Sequence, residues 1–442
     1  MFGFCIKVYG CQMNVYDGDK IRTAMILKGW REVPETDADV VVYVGCSIRD
    51  KAEHKIWSEM GRYRPGWEGK KAPIVCLVGC MAQNVGRDMM KRFPWIRMIA
   101  GPRSIGFIPD GLIRAVSGER VDLLDANARE FNDLDVVPIK RDNPWKAYVT
   151  IAHGCDYFCT YCIVPYVRGR FMSRDSGEIL EEIRALVDDG VREISLLGQN
   201  VDTYGADFDR PYRFADLLRD VAETDGVDLV RFMTSYPKDL TADVVSVMAD
   251  YPKICPGINL PIQSGSDRIL KSMNRHYSLA EYTETVRIIR EGLPEVGLTS
   301  DLIVGFPGET EEDFMASMEA VRQFRFDLVH TAAYSPRAGT PAAKMEDQLP
   351  EEEKFRRLSE INRLQSSIAM EINEATVGRR YRILIDGPAP KGDGLVQGRT
   401  MTDKVVICPG EPSWAGRFAD VKIVRAENWC LHGEISEVEG LS

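Results

Sequence analysis

No apolar run in this 442-residue chain reaches the roughly 20 residues that span a bilayer, and the N-terminus lacks the basic, apolar, small-residue order of an export signal. Both absences lead to the expectation of a soluble, cytoplasmic protein. Basic charge is in deficit as well. A formal net charge of -11 argues against a general polyanion-coating protein, although a local basic strip would still suffice to grip RNA. A secreted-type disulfide framework is not expected either: eleven cysteines without an export signal stay reduced in the cytosol, where thiols serve metals or catalysis.

What the chain does contain is three stretches of different rhythm. From the N-terminus, short apolar runs (CIKVYG, VVVYVG, PIVCLVG, RMIAG) alternate with amphipathic segments such as Tyr16 to Leu27, the pattern of a βα series with a parallel sheet. The periodicity then fades into a charged segment with a boundary near Pro138. This divides the chain into an N-terminal α/β domain over 1–118, a linker over 119–143 and a second domain over 144–376. In that second domain AYVTIAHG, EISLLGQN, LVRFMTS, GINLPIQS, LTSDLIVGFP and LVHTAAYS read as six strands with helices between them, a closed or partial (β/α)6 barrel. Ile179, Ile183 and Leu186 have the spacing of a buried helical stripe, and a long helix from Pro350 to about Glu374 closes the domain. Residues 377–442 turn to short strands broken by Gly and Pro, a small antiparallel β-barrel of the kind that binds single-stranded nucleic acid. Val377 to Cys408 holds six Lys or Arg against three Asp, which fits either an RNA-binding face or a solvated β surface.

The densest chemistry is in HGCDYFCTYCIVP. Cys155, Cys159 and Cys162 follow a predicted strand at spacings that let one loop wrap a compact cluster. Thiolates are soft ligands that suit iron-sulfur clusters or zinc. A cubane held by three cysteines keeps one iron open, and that iron can chelate the amino and carboxylate groups of S-adenosylmethionine. The alternative is a zinc knot completed by His153 or a distant cysteine. Structural zinc usually uses two paired knuckles, and a second such pair is missing.

A second trio is spread through the N-terminal stretch. Gly10-Cys11, Gly45-Cys46 and Gly79-Cys80 each end one of the first three apolar strands. In a parallel sheet those ends share one edge, so the thiols can converge into a second three-thiolate cluster; three independent buried cysteines are the other reading. Cys5, Cys76, Cys255, Cys408 and Cys430 read as core or surface thiols.

The Cys155 loop and its barrel context resemble the radical S-adenosylmethionine superfamily. The order of two thiol trios and a small β domain resembles the methylthiotransferase family, over essentially the whole chain. YGCQMN, CSIRDKAEHK, GCMAQ, LLGQNVDTYG and IQSGSDRILKSMNRHY look like its tRNA-modifying branch. Two positions depart from that pattern: Gly45, where the family commonly has Thr, and Phe171-Met172, where it often includes Glu.

The resemblance implies two 4Fe-4S clusters, S-adenosylmethionine as both methyl donor and radical source, and a C-terminal TRAM domain. The implied reaction is conversion of N6-isopentenyladenosine next to the anticodon (position 37) to its 2-methylthio derivative. The partners would be a tRNA anticodon stem-loop and a reductant such as flavodoxin or ferredoxin, with the chain a monomer and no membrane involved. Tyr161 falls where the superfamily places an aromatic beside the adenine. Gln199, Asn200, Ser235, Gln263, Ser264 and Gly305 lie at predicted C-terminal strand ends, where they would bond the cofactor or merely cap strands. Arg168, Arg170 and Arg174 follow the cluster loop as a clamp for RNA phosphates or a cofactor carboxylate, or as a solvated basic loop. Three rivals remain: the same machinery acting on threonylcarbamoyladenosine, or on an aspartate of a ribosomal protein, and a redox-sensing RNA-binding protein with structural clusters.

Overall fold

The computed structural model describes residues 2–47, 50–63, 72–124, 137 and 140–441, so Pro138 lies outside the described residues, as do Ile48 and Arg49 of CSIRDKAEHK. The chain forms two compact units: Met1–Phe158 with Cys162–Val191 and Leu196–Gln199, and Cys159–Tyr161 with Arg192–Ser195 and Asn200–Ser442.

The first unit is built on a six-stranded sheet. Its strands are β1 (Gly3–Tyr9), β2 (Arg31–Glu32), β3 (Val40–Gly45), β4 (Ile74–Val78), β5 (Ile96–Ala100) and β6 (Val121–Leu123), in the order β2-β1-β3-β4-β5-β6 with parallel pairing. The apolar run VVVYVG is buried along its whole length because both faces of the sheet are covered. Val40, Val42 and Val44 pack with Ile21, Met25, Ile108 and Leu112 on one side. Val41 and Tyr43 pack with Ile56, Met60, Met81 and Met89 on the other. Residue 119 does not begin a featureless linker: Val121 is buried in the core, and its strand closes the sheet's edge beside β5. A three-residue strand is too short to show a period in sequence, which is why it was hidden.

The same unit holds Lys146–Thr150, the antiparallel pair Ala152–His153 and Met172–Ser173, and the helix Ser176–Asp188. That helix buries Ile179, Ile183 and Leu186, and the Asp175 side chain caps it by accepting from the N–H groups of Gly177 and Glu178.

In the second unit Gly257–Asn259, Gly297–Val304 and Leu328–Ala333 form a parallel sheet. Helices Leu279–Gly292 and Glu311–Phe324 each start in a capping box, Ser278 with Glu281 and Thr310 with Asp313. The remaining expected strands are Glu193–Leu197 and Leu229–Phe232, so all six are present. The long helix runs Glu351–Glu374 with Pro350 at its N-cap.

The C-terminal strands Arg380–Pro388, Leu395–Arg399, Val405–Pro409, Phe418–Ala426 and Leu431–Val438 close into a five-stranded barrel. It is not wholly antiparallel: Val405–Pro409 pairs in parallel with Leu431–Val438, the contact that closes the ring. Lys404 reaches Asp327 and Asn373, and the Arg231 guanidinium donates to the carbonyls of Thr400 and Met401, so the barrel is tied to the sheet and long helix of its own unit. Among the described residues no helix is long and apolar enough to cross a membrane.

Candidate functional site

The parallel sheet delivers β1, β3 and β4 to one edge, and each ends in a Gly-Cys pair. Close approach explains two of the glycines. Gly10 has φ +140° and a Cβ there would lie 2.3 Å from the Cβ of Cys46; Gly79 has φ +91° and would meet the Gly45 carbonyl at 3.0 Å. At Gly45 a side chain would meet Ile56 and Met81, which occupy the space that the threonine of the family pattern would need.

Cys11 then starts the helix Gln12–Leu27 and Cys80 starts the helix Cys80–Arg92, so helix N-termini point at the sulfurs. The Cys11 thiol is pulled down to about 5: a hydrogen bond from Cys46 leads, burial resists, and the Arg168 charge with the Asn14 and Met13 N–H groups assists. Burial pushes the Cys80 thiol up, against the nearby Arg168. Cys46 and Cys80 are each 1% exposed. The Asn14 Nδ2 is buried in this pocket without a hydrogen-bond partner.

A soft donor set at one buried edge, with a cation and helix N–H groups facing it, fits a thiolate-held iron-sulfur cluster. A single ion fits less well. Among the described residues, the one group with three ligand atoms within 4.8 Å of each other lies elsewhere.

Arg168 has a different place from the phosphate clamp expected of it. Its guanidinium is buried, donating from Nε to Cys80 Sγ at 3.1 Å and lying 3.7 Å from Asp17. Arg174 is likewise turned inward, to Glu182 at 2.9 Å, the Tyr16 hydroxyl at 3.2 Å and the Thr150 carbonyl at 2.6 Å. Only Arg170 of the three is exposed, beside Asp156 and over the ring of Phe158. Arg103, which sequence reasoning missed, donates to the carbonyls of Arg168 and Arg170 at 2.7 Å each and so holds this segment in place.

The Cys155 loop opens at Gly154, φ +71°, where a Cβ would lie 2.1 Å from the Arg170 carbonyl; the Cys155 N–H donates to the Gly169 carbonyl. Cys155 and Cys162 are half-buried and Cys159 is buried. Within the second unit, Cys159 Sγ accepts from Arg275 at 3.5 Å, and Thr160 is fixed by Ser272, Met273 and Ala342. Arg275 is the other residue the sequence did not single out. It is half-buried against the rings of Tyr236 and Tyr277; burial works against its charge, and Tyr161, Tyr277 and Cys159 outweigh that. No described cysteine is in a disulfide.

Tyr161 packs beside Ile269, Met273, Phe306 and Tyr334. Gly305 precedes Phe306 with φ +69°, and its N–H donates to Glu309 at 2.6 Å. Gln263 has φ +65° and bridges to Leu302. Asn200 bonds Thr203 and Asp239 through Nδ2 while its buried Oδ1 has no hydrogen-bond partner. Ser235 donates to Asp202 at 3.3 Å, and Ser264, wholly buried, lies 3.4 Å from Ser317 and accepts from the Ser266 N–H. Gln199 belongs to the first unit, against Met13.

Comparison with known proteins accounts for each part. Residues 149–321 match the family model described as Radical SAM superfamily, 3–101 that of uncharacterized protein family UPF0004, and 374–436 that of the TRAM domain. A tRNA-2-methylthio-N(6)-dimethylallyladenosine synthase of Aquifex aeolicus is 38% identical over 98% of this chain and 99% of its own length. Proteins of the same name from Clostridium botulinum and Acetivibrio thermocellus are 42% and 40% identical, each over 98% of this chain and over 96% and 90% of their own lengths. Among solved structures, the radical S-adenosylmethionine methyltransferase TsrM of Kitasatospora setae, with cobalamin and a 4Fe-4S cluster bound, superposes at a TM-score of 0.57 with 14% identity over 90% of this chain and 81% of its own, a likeness of fold alone.

Fold and thiol placement together define a radical S-adenosylmethionine enzyme with an added thiol-bearing α/β domain. Within that class, the near full-length identities place the chain in the methylthiotransferase family, among the tRNA-2-methylthio-N6-dimethylallyladenosine synthases.

Proposed function

We propose that this protein converts N6-isopentenyladenosine at position 37 of tRNA into its 2-methylthio derivative. The observation that carries the reading is the second thiol trio: Cys11, Cys46 and Cys80 meet at one sheet edge in a chain that also holds the Cys155 loop. The relatives' names favour this substrate over threonylcarbamoyladenosine or a ribosomal aspartate.

Cys155, Cys159 and Cys162 would hold one 4Fe-4S cluster, and Cys11, Cys46 and Cys80 the other. When bound, the clusters and two molecules of S-adenosylmethionine supply the radical, the methyl group and the sulfur. The chain's own residues position and insulate. Arg168 places a buried positive charge against Cys80, and the half-buried Arg275 places another beside Cys159, each offsetting thiolate charge. Tyr161, half-buried and backed by the buried Phe306 and Tyr334, offers an aromatic face for a base or an adenine. Asn200 Oδ1, buried without a hydrogen-bond partner, is a polar contact left for the cofactor.

Residues 1–118 with the edge strand Val121–Leu123 form the thiol-bearing domain in this proposal, 144–376 the radical core and 377–442 the RNA-binding domain. On that last domain Arg380 and Lys422 are exposed cross-strand partners, with Arg382 next on the same face. Asp420 stands opposite Arg382 and Glu434 opposite Lys422, so these cations would meet the anticodon stem-loop backbone as separate point contacts. A flavodoxin or ferredoxin would supply electrons, and the enzyme would act as a monomer in the cytoplasm.

Nucleoside mass spectrometry of tRNA from strains with and without the gene tests the reading. The 2-methylthio nucleoside should vanish from the deletion strain and its N6-isopentenyl precursor accumulate. In vitro, Cys155→Ala should abolish 5'-deoxyadenosine formation, whereas Cys46→Ala should spare it and stop thiolation. Two inactive variants with equal loss of cofactor cleavage would overturn the division of labour.

A further inference from the structure

The C-terminal barrel carries a group of side chains that neither cluster uses. Strands Phe418–Ala426 and Leu431–Val438 are joined by a tight turn in which the Glu427 N–H donates to the Cys430 carbonyl at 2.9 Å. The turn folds Glu427 over Cys430 and His432. His432 Nε2 lies 3.1 Å from Glu427 Oε1 and 3.7 Å from Cys430 Sγ, while Cys430 Sγ lies 3.6 Å from Glu427 Oε2. Among the described residues this is the one trio of His, Cys, Asp or Glu with three ligand atoms within 4.8 Å of each other.

Those lengths can be compared with what an ion would impose. Tetrahedral zinc, with sulfur at about 2.3 Å and nitrogen or oxygen at about 2.0–2.1 Å, sets sulfur-to-nitrogen and sulfur-to-oxygen edges of about 3.6 Å and a nitrogen-to-oxygen edge of about 3.3 Å. The observed contacts lie within about 0.2 Å of these lengths, with His432 and Cys430 reaching different oxygens of the Glu427 carboxylate, and one ligand atom from each residue lies within 4.8 Å of the other two. Thiolate, imidazole and carboxylate are also the donor types zinc takes, and they come here from a turn already fixed elsewhere: Asn373 donates to the carbonyls of Glu427 and Asn428.

We propose that Glu427, Cys430 and His432 form a zinc site on the barrel, with the fourth position open to water. The ion would lock the turn that holds Trp429, 64% exposed, out to solvent. Arg425, which now pairs with Glu427, would exchange that contact for solvent. An ordinary hydrogen-bonded trio is the competing outcome.

The test uses the full chain with both clusters reconstituted anaerobically, incubated with zinc sulfate and desalted. Elemental analysis should find one zinc per chain in addition to the cluster iron. Zinc-edge X-ray absorption, which does not see the iron, should show a single sulfur with nitrogen and oxygen neighbours. His432→Ala and Cys430→Ser should each lose the zinc and keep the iron. Absence of retained zinc, equal retention by both variants, or a shell of three or four sulfurs, meaning zinc at a cluster trio, would each overturn the site. A variant that misfolds would lose iron as well, and the wild-type absorption shell then decides.

Discussion

Buried charge is where single residues matter most in this protein. Arg168 lies against Cys80 and Asp17 with 3% of its surface exposed, so its removal strips a counter-charge from two buried groups at once. Arg168→Met should lower stability by roughly 3 kcal/mol and reduce the iron held by Cys11, Cys46 and Cys80, while Arg168→Lys, which keeps the charge without the fork, should lose less. Urea unfolding under anaerobic conditions, with iron counted on the same samples, would check this. Asp313 gives a pH signature. Burial pushes its carboxyl up, but donors from Arg268, Ser266 and Thr310 outweigh that and hold it below the usual carboxylate range. A depressed carboxyl adds stability above its unfolded value, near pH 4, and loses it as the pH falls through the folded value. The stability gap between wild type and Asp313→Asn, measured on the cluster-free chain, should therefore be full at pH 6 and shrink steadily below about pH 4. A gap that grew with acid would contradict the assigned contacts.

At the scale of elements, glycines decide whether strands can deliver their thiols. Gly154→Ala places a Cβ into the Arg170 carbonyl and must displace the start of the cluster loop, so 5'-deoxyadenosine formation should be lost while circular dichroism changes little. Gly29 also has a positive φ, +80°, but nothing lies within 4 Å of a Cβ there. Gly29→Ala should cost only about 1–2 kcal/mol, the backbone penalty alone, and leave activity intact. Comparing the two separates crowding from strain. The strands themselves were legible, since VVVYVG and the other Gly-Cys runs are long and apolar enough to announce a buried parallel sheet. Val121–Leu123 was not, because three residues carry no period. Nor was the role of Arg168: an arginine in a polar run reads as exposed until the fold brings Cys80, 88 residues earlier in the chain, against it.

For the molecule as a whole, a chain of net charge -11 must bind an RNA through local rather than total charge. The exposed Arg380, Arg382 and Lys422 are the place on the barrel where it would do so. Replacing all three with Ala should lower the salt slope of anticodon stem-loop binding by about 2, at about 0.7 per single-strand phosphate contact, and weaken affinity without regard to base sequence. An unchanged slope would move the RNA-binding face elsewhere. The amino-acid sequence by itself determined the three-part order, the Cys155 loop and the candidacy of the three Gly-Cys pairs, because local spacing and strand periodicity are properties of neighbours along the chain. Tertiary structure alone decided which thiols share an edge, that Arg168 and Arg275 serve sulfurs, that the barrel closes through a parallel pair, and that Cys430 has His432 and Glu427 as company. These are contacts made by a sheet edge, a buried pocket, a ring closure and a turn, and each depends on distances that sequence separation does not encode.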